Sequence, residues 1–126
     1  MPRQDINEIL DQLLSLPGET EWVEFKTARD DFSFEKLGKY FSALSNEANL
    51  YGKQCGWLMF GIDRDRNICG TNYRSGRPHL DSLKHAVAQH TTEKLTFVEI
   101  HVLFPSEKRV ILFEIPPALP GIPTKW

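Results

Sequence analysis

The chain has 126 residues, 40% of them hydrophobic and 25% charged, which describes a single folded domain and excludes a disordered segment. No apolar run nears the ~18 residues of a membrane span, and the opening Met1–Asp5 has no apolar stretch of a secretory signal. The net charge of −2 does not advertise a nucleic-acid partner, but it is unevenly spread. Residues 1–35 carry −6, residues 36–84 carry +4, and the remainder is balanced. A basic face beside an acidic one is one reading of that split, and an ordinary solvated surface is the other.

Asp5 to Leu16 predicts a helix: Ile6, Ile9, Leu10, Leu13 and Leu14 share a stripe, Asp5 caps it, and Pro17-Gly18 stops it. Glu21–Lys26 alternates as a strand, with Val23 and Phe25 on one face and Trp22 and Glu24 on the other. The polar stretch Thr27–Asp31 reads as a loop. A second helix starts near Ser33 on the spacing of Phe34, Leu37, Phe41, Leu44 and Ala48, with Gly38 placed to admit a close neighbour. Cys55–Ile62 is a nearly continuous apolar run and predicts a central strand. Asp63–Asn67 supplies turn chemistry, and Ile68-Cys69-Gly70 predicts a hairpin return. Pro78–His90 reads as a third helix, and Leu95–Phe104 and Arg109–Ile115 as two strands joined by Pro105–Lys108.

The expected order is therefore α-β-α-β-β-α-β-β, an α+β domain built on a single mixed β-sheet over residues 1–126. The proline-rich 116–126 segment fits neither a helix nor a central strand, and its abrupt end predicts truncation from a longer protein. Cys55 and Cys69, with no C-x-x-C partner, predict two buried free thiols in a reducing cytoplasm.

No phosphate-cradling loop, nucleophile elbow or H-E-x-x-H pattern is present. His79, His85, His90 and His101 are scattered and read as surface or helix-end residues rather than zinc ligands. Glu19, Glu21 and Glu24 crowd together, a grouping with little structural benefit because like charges repel. If Glu19 swings round from the turn, it stands beside Glu24, and Asp63 joins them where the two strands are neighbours. Three such carboxylates suit Mg²⁺ or Mn²⁺ and activation of water at a phosphodiester. The alternative is solvated carboxylates with Glu24 paired to Lys26 or an arginine. Arg64, Arg66, Arg74 and Arg77, with Asn72 and Tyr73 among them, are arranged to follow a phosphate backbone and stack an unpaired base, or to form a polar loop with local ion pairs to Asp63 and Asp65.

Four strings in order carry a family resemblance. Glu19-Thr20-Glu21-Trp22-Val23-Glu24-Phe25-Lys26 resembles the E-[ST]-x-x-[VL]-E-F-K opening of the Schlafen-type AlbA-like domain, also called the divergent AAA-like domain. Lys39–Asn46 is similar to its second-helix motif. Trp57–Asp63 with Ile68-Cys69-Gly70 is similar to its hairpin, and Pro116 and Pro120 to its end. The segment Glu47–Gly56 is longer than the usual Asn-Thr-x-Gly-Gly turn and is similar to a bacterial subgroup. The resemblance implies a DNA- or RNA-binding module of a bacterial transcriptional regulator or helicase-related protein, with Lys26, Arg29, Arg64, Arg66, Arg74 and Arg77 on phosphates. It also puts Glu19, Glu24 and Asp63 on the positions of a metal-dependent nuclease site, the second reading. A third reading is a homodimerising interaction domain that pairs through an exposed strand such as Arg109–Ile115. The family's older ATPase label finds no triphosphate cradle in this sequence.

Overall fold

The computed structural model of the chain describes residues 5–16, 20–29, 31–74 and 77–126. Helix α1 spans Ile6–Leu14, and Asp5 caps it by accepting the Asn7 N–H at 2.7 Å. Strand β1 (Val23–Lys26) leads to helix α2 (Phe34–Leu50), whose first turn is capped by Ser33 Oγ accepting the Lys36 N–H at 3.2 Å. Strand β2 is Gly56–Phe60, helix α3 Arg77–Ala88, strand β3 Glu99–Leu103 and strand β4 Val110–Ile115. The sheet order is β1-β2-β4-β3, with β1 parallel to β2 and the other pairs antiparallel. This is the α+β, mixed-sheet architecture that the hydrophobic pattern predicts.

Alternation along the strands splits the core between two faces. Leu58, Phe60, Ile111, Phe113 and Ile115 face Leu37, Phe41 and Leu44 of α2 and Leu80, Leu83 and Val87 of α3. Val23, Met59, Val110 and Leu112 face Leu10 and Leu13 of α1. The sheet is thus sandwiched between one short helix and a helical pair. β2 lies between two strands and is buried along nearly its whole length, as its unbroken apolar run requires.

The predicted elements differ from the observed ones in several places. Ile68-Cys69-Gly70 makes only an isolated bridge, Ile62 to Ile68, so the order is α-β-α-β-α-β-β. Gly61 and Gly70 hold positive φ (97° and 81°) and turn the chain away, and a Cβ on Gly61 would stand 2.9 Å from the Arg109 carbonyl. The predicted strand from Leu95 starts only at Glu99, because Thr92–Lys94 forms a short 3-10 turn and the Thr96 hydroxyl donates to the Lys84 carbonyl of α3. Arg109–Ile115 is not an exposed strand: β4 is flanked by β2 and β3, so the free edges belong to β1 and β3. Cys55 is partly buried and Cys69 exposed, so only the free state of the two thiols matches the expectation.

The proline-rich end packs back onto α2. The buried Ser45 hydroxyl lies 2.8 Å from the Pro116 carbonyl and 2.9 Å from the Thr124 hydroxyl. The Asn46 side chain holds the Thr124 backbone on both sides, accepting its N–H at 2.7 Å and donating to its carbonyl at 3.0 Å. Trp126 then lies over Gly38, where any Cβ would overlap the indole, and against Phe34 and His90. Gly38 is the close-packing position that its place within a helix predicts.

Candidate functional site

A groove of about 570 Å³ runs along the free edge of β1, lined by Leu16, Thr20, Val23, Glu24, Phe25, Lys26, Arg64 and Arg66. Its geometry follows from the strand. The Trp57 N–H donates to the Trp22 carbonyl and the Gly61 N–H to the Lys26 carbonyl, both at 2.8 Å. In a parallel ladder with that register, Glu24 and Lys26 turn their backbone groups towards β2. The Phe25 N–H and carbonyl therefore point the other way, towards the groove. The Glu24 and Lys26 side chains share the α2 face, and Val23 and Phe25 share the α1 face, so the groove wraps the edge.

Lys26 Nζ is 3.5 Å from Glu24 Oε1 and 5.0 Å from the centre of the Tyr40 ring of α2. The Tyr40 hydroxyl, more than the Glu24 carboxylate, raises the Lys26 pKa against the opposing effect of burial, so the ammonium stays charged. With Lys26 and Glu24 35% and 40% exposed, this pair is a solvent-screened contact that positions charge more than it stabilises the fold. Arg66 closes the far wall. Its guanidinium donates to the Leu14 and Leu16 carbonyls at the C-terminal end of α1, where a cation complements the helix dipole, and its centre lies 5.4 Å from that of the Phe25 ring. Arg64, on the same turn, is exposed.

Asp63 has a structural job at this turn. Its Oδ1 accepts the N–H groups of Asp65 (2.9 Å) and Asn67 (2.8 Å), which folds the 63–67 loop and places Arg66 at φ 66°. The strand register puts Leu58 opposite Glu24, with Asp63 beyond the end of β2. Glu19 lies outside the described residues. Among the described residues no three His, Cys, Asp or Glu side chains stand close enough to hold a metal ion. Of the other two carboxylates, one oxygen of Glu24 contacts Lys26 and Asp63 Oδ1 holds its own turn.

The remaining predicted cations fall into a second group. Arg29 and Arg74 sit on two loops tied together by the Thr71 hydroxyl, which donates to the Ala28 carbonyl. Arg109 braces the second loop, its guanidinium donating to the carbonyls of Thr71 (3.2 Å), Tyr73 (2.8 Å) and Arg74 (3.0 Å). Burial lowers the Arg109 pKa. The side chain of Arg77 is not among those described. The groove thus gathers Glu24, Lys26, Arg64 and Arg66, while Arg29 and Arg74 sit on the two joined loops outside its lining.

On the α1 face a second cavity, of about 460 Å³, opens beside Trp22, Trp57, Lys53, Cys55, His101 and Glu114. His101 is no surface or helix-end residue. It lies mid-strand, its Nε2 2.9 Å from Glu114 Oε1, with the two side chains only 16% and 15% exposed. The Cys55 thiol donates to the other carboxylate oxygen at 3.5 Å. Burial first, and then the Glu114 charge, push that thiol up to about 12. This network and the bracing role of Arg109 are invisible without the β3–β4 register, which alone brings positions 101 and 114 onto one face.

A family model, Schlafen AlbA_2, matches residues 19–124. The chain belongs to that family. As a Schlafen AlbA_2 chain it carries the groove at the start of the matched stretch, where Thr20, Glu24, Phe25 and Lys26 lie. Two solved structures share the fold. One is the N-terminal domain of an ATP-dependent DNA helicase RecG-related protein from Nitrosomonas europaea: 19% identity, TM-score 0.57, with 98% of this chain and 82% of that one covered. The other is a protein from Corynebacterium diphtheriae: 18% identity, TM-score 0.58, with 95% of this chain and 25% of that one covered. The Schlafen AlbA_2 chain thus spans about a quarter of the second structure's length. No curated protein matches the sequence. No helix among the described residues is long and apolar enough to cross a membrane.

Proposed function

We propose that this chain is a nucleic-acid-binding module that takes a phosphate backbone along the free edge of β1. The observation that carries the reading is the convergence of Lys26, Arg64 and Arg66 in one groove, against the one carboxylate Glu24 among the described lining residues. Arg29 and Arg74 extend the cationic path, with Arg77 following in sequence. Family membership supports the reading, as does a fold shared with a DNA-helicase-related N-terminal domain. The parent protein would be a bacterial transcriptional regulator or helicase-related protein acting in the cytoplasm. Contacts of this type position a backbone and read little sequence.

The test is fluorescence anisotropy with labelled oligonucleotides at two salt concentrations. Three phosphate contacts predict a log–log salt slope of about −2 to −3, and Arg64→Glu, an exposed charge reversal, weakens binding severalfold. Absence of binding at low salt, or binding indifferent to salt, refutes the reading.

The nuclease reading needs Glu19 to complete a donor set with Glu24 and Asp63 around Mg²⁺ or Mn²⁺, and Lys26 beside Glu24 is the feature that favours it. Labelled RNA and DNA incubated with Mn²⁺ test it, with Glu24→Ala as the control. Cleavage lost in that variant supports it, and equal cleavage removes it. A homodimer would have to use the β1 or β3 edge instead of β4.

A further inference from the structure

We infer that the β1 groove selects an unpaired nucleic-acid strand over a duplex, an inference that rests on the nucleic-acid reading above. Three independent features of the groove point to it.

Shape is the first. A duplex is read by a protruding element, a helix or two-stranded ribbon that enters a major groove about 12 Å wide. Here the cations line a depression instead. Its 570 Å³ falls in the ~300–1,000 Å³ class of clefts that enclose a drug-sized ligand. That space suits one or two nucleotides and is far too small for a double helix. To reach Lys26 and the half-buried Arg66, a phosphate must come into the depression, and only a single strand brings it there.

The second feature is the wall. Phe25, on the α1 face of the strand, carries the Arg66 guanidinium over its ring, an aromatic–cation pair across the strand edge from Lys26, and all three line the groove. A cationic track interleaved with an aromatic face is how proteins hold unpaired strands, because every base has a π-face. The outward N–H and carbonyl of Phe25 add a donor and an acceptor that a base edge or sugar can meet, groups that a duplex keeps within its own pairing and grooves.

Thr20 is the third. Its hydroxyl oxygen is buried and has no hydrogen-bond partner among the described residues, and Thr20 lines the groove. A buried hydroxyl left unpaired is costly, whereas one satisfied by a ligand contributes to affinity. A phosphate or sugar oxygen that enters the groove at Thr20 would supply that partner.

The experiment uses the whole chain and three labelled probes of one mixed 12-nucleotide sequence: single-stranded DNA, single-stranded RNA and the blunt DNA duplex. Anisotropy at low salt is expected to show at least one single strand bound about tenfold or more tighter than the duplex, in line with the loss of the stacking that such grooves supply. Thr20→Val, which keeps the shape and removes the hydroxyl, and Phe25→Leu should each weaken single-strand binding severalfold while leaving the thermal midpoint near that of the parent. Duplex bound as tightly as the single strands overturns the inference while leaving the nucleic-acid reading intact. Single-strand binding unchanged by both substitutions also overturns it, because the strand then does not enter the groove. No binding of any probe sinks the underlying reading instead.

Discussion

The two faces of the sheet are built to different standards. On the α2–α3 face, Leu58, Phe60, Ile111, Phe113 and Ile115 are all fully buried, and Phe60 packs edge-on against both Tyr73 and Phe113 with ring centres 5.0 and 4.9 Å apart. On the α1 face a single short helix covers Met59, Val110 and Leu112, which are equally buried, but leaves Trp57, His101 and Glu114 only partly so. The uncovered remainder holds a cavity with the Cys55–Glu114–His101 network on its floor. The β1 groove lies where this thinner layer meets the sheet edge, walled by Leu16 just past α1. A fold that concentrates its packing on one side can leave polar and charged groups on the other without forfeiting stability. The lesson is a division of labour: the helical pair holds the sheet, and the single-helix side and its edge are where ligands can be met.

That contrast can be broken most directly by matched truncations of neighbouring strand residues. Phe60→Ala removes a fully buried ring and is expected to cost about 3–5 kcal/mol. Trp57→Ala, on the other face of the same strand and bordering the cavity, should cost clearly less despite the larger side chain. Urea denaturation of both variants decides it; equal losses would mean that the two faces are packed alike. Next in size is the docking of the proline-rich end on α2. Ser45→Ala strips the Thr124 hydroxyl and the Pro116 carbonyl of a buried partner, for an expected loss of about 1–3 kcal/mol. Hydrogen exchange at the Ala118 N–H, which is bonded to the Ser45 carbonyl, should accelerate at the same time. Smaller still is Gly38→Ala. The gain of about 1 kcal/mol in helix propensity is outweighed by displacement of the Trp126 indole, so the net change is a modest loss with a red-shifted Trp126 emission.

How much of this was legible in advance depended on whether a feature is local. The cap at Asp5, the helix start at Ser33, the apolar run of β2 and the gap left at Gly38 are written in residues that act on their immediate neighbours or through simple periodicity. The alternation of Glu21–Lys26 likewise placed Glu24 and Lys26 on the strand whose free edge forms the groove. What escaped was everything set by register. Ile68-Cys69-Gly70 has the pattern of a strand, yet positive φ at Gly61 and Gly70 breaks the ladder after one bridge. Arg109–Ile115 has the pattern of any hairpin strand, and nothing local reveals that β2 claims its outer edge. The turn held by Asp63, whose Oδ1 accepts two N–H groups of its own loop, is likewise not announced by its place in the motif. Arg66, one basic residue among several in the sequence, ties that loop to the end of α1.

The polar network of the α1 face offers the finest test of the contrast, because it reads burial through chemistry instead of stability. With its thiol pushed up to about 12, only about one Cys55 in ten thousand is ionised at pH 8. Iodoacetamide at that pH should therefore label exposed Cys69 readily and leave Cys55 untouched until the chain unfolds. Glu114→Gln removes the neighbouring negative charge and should speed Cys55 labelling in the folded protein, although burial, the larger cause, still holds the rate below that of Cys69. The same displacement fixes a sign for stability. A thiol whose folded value lies above its unfolded value near 9.0 stabilises the fold fully below pH 9, and that contribution is lost as pH rises from there through about 12. Cys55→Ala should flatten this alkaline limb of the stability curve. An unchanged limb, or a Cys55 that alkylates as fast as Cys69 in the parent protein, would show that the floor of the cavity is as open to water as the groove at β1.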